Sequence, residues 1–157
     1  MSSSSRAVGR LLLTGVPGWL TEGVLQSLRE SPPPGLTEAR CLVEPGRRPA
    51  PSETEELPFA ITHVEADLRD RSSLLDATGG VDTVLHAAGV LHVRRTQDWY
   101  EINTRGTERL LDAAVDNHVE RFVFISSNAA AGRSSSRSRL LDRPAAALLL
   151  MKTNRST

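Results

Sequence analysis

Five short apolar segments, each closed by a turn or a polar loop, recur between Arg10 and Ile125, and this recurrence limits the possible folds more than any other feature. Arg10-Leu11-Leu12-Leu13 runs into Thr14-Gly15, and Thr21 to Arg29 then carries Val24, Leu25 and Leu28 at helical spacing. Ser31-Pro32-Pro33-Pro34-Gly35 cannot continue that helix, because proline lacks an amide donor and fixes φ. Arg40 to Val43 predicts a second strand, turned off by Glu44-Pro45-Gly46, and Pro49 to Pro58 a solvated loop. Ile61 to Glu65 alternates as a strand does, and Ser72 is expected to cap a helix carrying Leu74, Leu75 and Ala77. Gly79-Gly80 stops it, and Val81 to Leu85 predicts a fourth strand leading into His86-Ala87-Ala88-Gly89. Asp98 is expected to cap a long helix reaching about Asn117, with Ile102, Leu110, Leu111, Ala114 and Val115 as its buried stripe. Arg121 to Ile125 is the fifth strand, and Pro144 to Met151 is expected to form a brief helix.

The later strands are nearly unbroken apolar runs, as a parallel sheet covered on both faces requires. The expectation is a doubly wound α/β domain with five or more strands. With 157 residues, 39% of them hydrophobic and 24% charged, there is material for one packed core and little beyond it. Right-handed crossovers would bring every strand's carboxyl end to one edge, where open sheets bind ligands at the reversal of strand order. Thr14-Gly15, Glu44, Asp67, His86 to Gly89 and Ser126-Ser127 all fall on that edge.

Basic and acidic residues balance at 19 each, so no global field favours nucleic acid or an anionic membrane. The distribution is uneven: residues 132–157 hold six basic groups against Asp142, a net +5, which leaves the first 131 residues at net −5. The tract Gly132 to Arg139 reads as a solvated loop; an RNA-binding reading finds no aromatic stacking partner in it. Ala145 to Met151, the longest apolar run, falls far short of the roughly 20 residues that span a bilayer. A lone cysteine, Cys41, excludes an internal disulfide and fits the reducing cytosol. The opening Met1 to Arg6 reads as an uncleaved terminus, with a mitochondrial leader as the alternative.

Thr14-Gly15-Val16-Pro17-Gly18 is a turn whose paired glycines let backbone amides approach a phosphate at a positive helix end, though a tight turn without a ligand has the same signature. No Gly-Lys-Ser/Thr follows, which disfavours a Walker-type ATP or GTP site. Glu44 would accept both ribose hydroxyls of an adenosine and repel a 2′-phosphate, favouring NAD; Arg47 and Arg48 keep NADP open as the alternative. Ser126 and Ser127 follow a buried strand, where a hydroxyl would polarise a substrate oxygen or simply bond its own backbone. His86 reads as a packed or hydrogen-bonded histidine rather than a base, and His63, His92 and His118 show no metal spacing, so no metal is assigned.

Taken together, Thr14-Gly15-x-x-Gly18, Asp67-Leu68, His86-Ala87-Ala88-Gly89, Asn103 with Gly106-Thr107, and Phe122 to Ser127 resemble the amino-terminal half of the NAD-dependent epimerase/dehydratase family, the extended short-chain dehydrogenase/reductases. The likeness covers residues 8 to about 132. It implies a Rossmann-type NAD(P)-binding domain over residues 1–131, ahead of the basic Ser/Arg-rich tail that the charge distribution marks over 132–157, and hydride transfer on a sugar nucleotide or secondary alcohol. It further implies that Gly15 and Gly18 form the dinucleotide turn and that the backbone of Trp19 and Leu20 meets the pyrophosphate. On the same likeness Asp67 and Leu68 recognise adenine, Ala87, Ala88 and Gly89 line the ribose side, Asn103 supports the site, and Ser127 is the catalytic serine. Homodimerisation through helices of the sheet is implied by analogy.

Two departures stand out. Thr21 occupies the place of the family's third turn glycine, which would loosen helix-to-strand packing. The family's tyrosine and lysine, four apart on one helix face, are missing: the single tyrosine, Tyr100, and the single lysine, Lys152, lie 52 positions apart. Leu148-x-x-x-Lys152 keeps the spacing but offers an alkyl group that cannot shuttle a proton. The chain is thus expected to be weakly active or inactive, a truncated or altered member lacking the substrate lobe, with a non-catalytic dinucleotide-sensing module as the alternative.

Overall fold

The computed structural model describes residues 7–47, 57–90, 94–126 and 148–152. Its elements run β1 (Gly9–Val16), α1 (Trp19–Glu30), β2 (Leu36–Val43), β3 (Ala60–Glu65), α2 (Arg71–Thr78), β4 (Thr83–His86), α3 (Thr96–Tyr100), a π-helical turn (Glu101–Arg105), α4 (Gly106–Asp116), β5 (Arg121–Ile125) and β6 (Leu148–Lys152). They build one sheet ordered β3-β2-β1-β4-β5-β6, in which β1 to β5 are parallel and β6 pairs antiparallel with β5. The chain winds outward from β1 in one direction, then returns to β4 on its other side, so the expected doubly wound sheet is the observed one.

Alternation along β1 divides the core between the two faces. Leu11 and Leu13 pack with Leu36, Ala39, Cys41 and Val43 against Val24, Leu25 and Leu28 of α1. Leu12 faces the other way, into a cluster with Leu74 and Ala77 of α2, Leu110, Ala113 and Ala114 of α4, and Phe122 of β5. Leu12, Leu74 and Leu110 are fully buried; each such side chain stabilises the fold by about 1.5–3 kcal/mol, and truncating one to alanine costs about 2–5 kcal/mol once the cavity is included.

Four local expectations are corrected. Val115, expected in the buried stripe, is exposed, while Ala113 is buried in α4. The cap of α2 is Asp70, whose carboxylate accepts from the amides of Ser72 (3.0 Å) and Ser73 (3.3 Å), so Ser72 lies inside the helix. The helix after β4 starts two residues before Asp98, which sits in its first turn and donates its amide to the Arg95 carbonyl at 3.0 Å. The tail segment Leu148–Lys152 is a strand and not part of a brief helix: an apolar run alongside the open edge of β5 gains a ladder of backbone hydrogen bonds there. The helix-face argument for Leu148-x-x-x-Lys152 therefore does not apply. No helix among the described residues is long and apolar enough to cross a membrane.

Candidate functional site

β1 and β4 are the neighbours at which the strand order reverses, and Thr14 pairs in register with His86 at their carboxyl ends. Beyond Thr14 the chain turns at Gly15, whose φ of +92° excludes most side chains. A Cβ there would lie 3.0 Å from the backbone of Ala87 and Ala88, so the turn rests directly on the segment leaving β4. At Gly18 a Cβ would come within 2.5 Å of the Gly15 carbonyl oxygen. Gly18 also caps α1 without any side-chain hydrogen bond, which leaves the first amides of that helix without a side-chain acceptor. Trp19 is 85% exposed, so its side chain does not pack into this corner.

Thr21 is 1% exposed, and its hydroxyl contacts the carbonyls of Gly15 (2.8 Å) and Gly18 (3.0 Å). The expected loosening is thus offset: the threonine is seated inside the turn and ties it to the helix.

On the opposite wall, Ala87 and Ala88 both donate their amides to the Thr14 hydroxyl, at 3.2 and 3.1 Å. Those donors are consumed, and what Ala87 and Ala88 present to a ligand is surface rather than N–H groups. Asn103 reaches back across this loop. Its Oδ1 accepts from the Val90 amide and its Nδ2 donates to the Val90 carbonyl, both at 2.8 Å, while a Cβ on Gly89 would lie 3.2 Å from the same Oδ1. The arrangement copies a strand pairing with a side chain.

Asp67 and Leu68 follow β3. The Asp67 carboxylate binds the Arg69 guanidinium through Oδ1–Nε (2.9 Å) and Oδ2–Nη2 (2.6 Å) and also accepts the Arg69 amide, which holds its carboxyl below the ordinary value. Leu68 is buried in the main core, so only its main chain is available to a ligand. Glu44, just past β2, is exposed and pairs with Arg47 at 3.1 Å. Arg69, Arg94, Asp98, Glu101 and Ile102 line an open cavity of about 320 Å³ beside this group. Arg48 and Ser127 lie outside the described residues, as does the tract Gly132 to Arg139.

The structure therefore brings together Gly15, Gly18, Ala87, Ala88, Gly89 and Asn103, with Asp67 and Glu44 further along the same edge. Sequence reasoning left Thr14, Thr107 and Val90 unassigned. The visible signal was slight: Thr14 directly precedes the turn, and Thr107 is one helical turn beyond Asn103.

The profile of the NAD dependent epimerase/dehydratase family matches residues 11–147, nearly the whole chain. The chain belongs to this family. Among curated relatives, the NAD-dependent glucose-6-phosphate dehydrogenase of Haloferax volcanii is 38% identical over 88 residues, which is 52% of this chain and 33% of that protein. Short-chain dehydrogenase/reductase family 42E member 1 of Xenopus laevis is 30% identical over 133 residues, covering 80% of this chain and 31% of the relative. A variant of uronate dehydrogenase from Agrobacterium tumefaciens, solved complexed with NAD, superimposes with a TM-score of 0.64 at 26% identity, over 88% of this chain and 49% of that one. This epimerase/dehydratase-family chain thus spans about a third of its curated relatives and about half of that solved structure.

Proposed function

We propose that this chain binds NAD through the edge formed by β1, β4 and their turns, as the cofactor half of an epimerase/dehydratase-type oxidoreductase. The observation that carries the reading is the closeness of Gly15 to Ala87 and Ala88 beside an uncapped helix start, a turn that stays this tight only without side chains. Gly15, Gly18 and the amides of Trp19 and Leu20 would hold the diphosphate, with Ala87 to Gly89 as the facing wall. The Asp67 carboxylate and the Leu68 main chain would meet adenine. Glu44 would take the adenosine ribose, where its carboxylate would repel a 2′-phosphate and so favour NAD; Arg47, beside it at 3.1 Å, keeps NADP as the alternative. When bound, the oxidised dinucleotide accepts hydride from a substrate carbon. Ser127 would hold the substrate oxygen. Residues 1–131 would form this cofactor domain, and 132–157 a basic appendage.

Proton removal is the weak step. Tyr100 ends α3 and Lys152 ends β6, so no phenol in this chain has an ammonium group one helical turn away to ease its ionisation. We therefore expect binding with little turnover on sugar nucleotides or secondary alcohols. The same observation supports a second reading, a non-catalytic module that senses dinucleotide. Titrating NAD and NADH against the purified chain and assaying oxidation of both substrate classes tests the proposal. Absence of binding would refute it, and appreciable turnover would mean that another group accepts the proton.

A further inference from the structure

His86 is fully buried at the end of β4, stacked on Phe124 at 5.4 Å between ring centroids, and the chemistry above does not use it. Both ring nitrogens are engaged: Nδ1 lies 2.7 Å from the Thr14 hydroxyl and Nε2 lies 2.8 Å from the Thr107 hydroxyl. The surrounding donors determine which nitrogen bears the proton. The Thr14 oxygen already accepts from the Ala87 and Ala88 amides, which occupies both its lone pairs and leaves only its proton for Nδ1. The Thr107 hydroxyl donates its one proton to the Asn103 carbonyl at 2.7 Å, so toward Nε2 it accepts. The ring is consequently neutral, with Nδ1 bare and Nε2 protonated. Burial alone, with no charged neighbour contributing, pushes the imidazolium down to about 4, in keeping with that assignment.

We infer that His86 is a positioning residue for the cofactor cleft, a neutral strut that ties Thr14 and the Ala87–Ala88 wall to the Asn103–Thr107 turn that splints Val90. It touches no ligand itself. One end of the strut orients the hydroxyl beside the glycine turn; the other bonds the hydroxyl that caps the Asn103 carbonyl, and the Asn103 side chain holds the loop past Gly89. The spacing of the two walls is therefore set through one ring. This role rests on the cofactor-binding reading.

Two measurements test it. In wild type, two-bond ¹H–¹⁵N spectra should assign His86 as protonated on Nε2 and unchanged from about pH 5.5 to 8, well above its depressed pKa. Protonation on Nδ1, or titration within that window, would overturn the proposal. In Thr107→Val both the acceptor for Nε2–H and the donor to the Asn103 carbonyl are lost while the side-chain shape is kept. Energy transfer from tryptophan to NADH should then report a dissociation constant raised about tenfold, the Val90 amide should exchange faster, and Thr107→Ser should recover both. A folded Thr107→Val chain with wild-type affinity and unaltered Val90 exchange would refute the strut, even if its melting temperature fell. Failure of wild type to bind NADH would refute the cofactor reading alone, and the spectra and Val90 exchange would still decide whether the strut exists.

Discussion

Thr14 and His86 are register partners on adjacent strands although 72 residues separate them, and the hydroxyl of one meets Nδ1 of the other at 2.7 Å. The same hydroxyl collects two amides from the wall facing the glycine turn. The shape of this corner therefore depends on how closely β1 and β4 approach, and the first test addresses that closeness directly.

Gly15→Ala would place a methyl group 3.0 Å from the Ala87–Ala88 backbone at a φ of +92°. Backbone strain of this kind costs about 1–3 kcal/mol, and relieving it would push the two walls apart. The expected outcome is a lowered urea midpoint together with NADH affinity reduced at least about tenfold, measured by fluorescence titration. Unchanged affinity would argue that the turn does not contact the dinucleotide.

Thr21→Val keeps the volume of the side chain but removes the hydroxyl that bonds the Gly15 and Gly18 carbonyls. Stability should fall by about 1 kcal/mol in denaturant titrations. Thr21→Gly empties a buried position while restoring the residue usual in the family's turn, so its loss should be larger.

Arg69 holds the Asp67 carboxyl below its ordinary value of 3.8, so the unfolded chain binds that proton more readily than the folded one. The pair accordingly stabilises the fold above about pH 4 and loses its contribution as the pH falls through the lowered folded-state value. Water screens the partly exposed pair, which keeps the effect small. In thermal scans, the difference between wild type and Asp67→Asn should be greatest near neutrality and shrink on acidification; a difference that widened in acid would contradict the assignment.

Cys41 is completely buried, and desolvation pushes its thiol up to about 11. Ellman's reagent at pH 8 should leave it untouched in the native chain and modify it fully in guanidinium. Rapid native-state reaction would show that the β1–β2 face opens far more readily than its packing implies.

Much of the framework was legible because its signals are local. Phe122 to Ile125 could be little other than a strand, although only Phe122 in it is fully buried, and Gly15 and Gly18 mark the first turn wherever the rest of the chain goes. The errors arose where several residues could do one job. Asp70, Ser72 and Ser73 all make plausible caps, and only the backbone path makes Asp70 the acceptor. Asp98 was a plausible cap too, but α3 starts after Arg95 with no side-chain cap at all, and the π-helical turn at Glu101–Arg105 leaves no mark in apolar periodicity. Leu148 to Met151 is apolar enough for either helix or strand, and the unpaired side of β5 decided between them. That His86 is packed and hydrogen-bonded was legible, but its partners and tautomer were not: the partners come from positions 72 and 21 residues away, and proton placement depends on all of them at once.

β1 lies in the middle of the sheet, yet both of its flanking ribbons are encoded after it, and the second, Thr83–His86, much later than the first. During synthesis the greasy Leu11-Leu12-Leu13 stretch must emerge from the ribosome long before its last neighbour does, bare on one side throughout that interval. A nascent chain of this design has a built-in waiting period before its central ribbon is flanked on both sides.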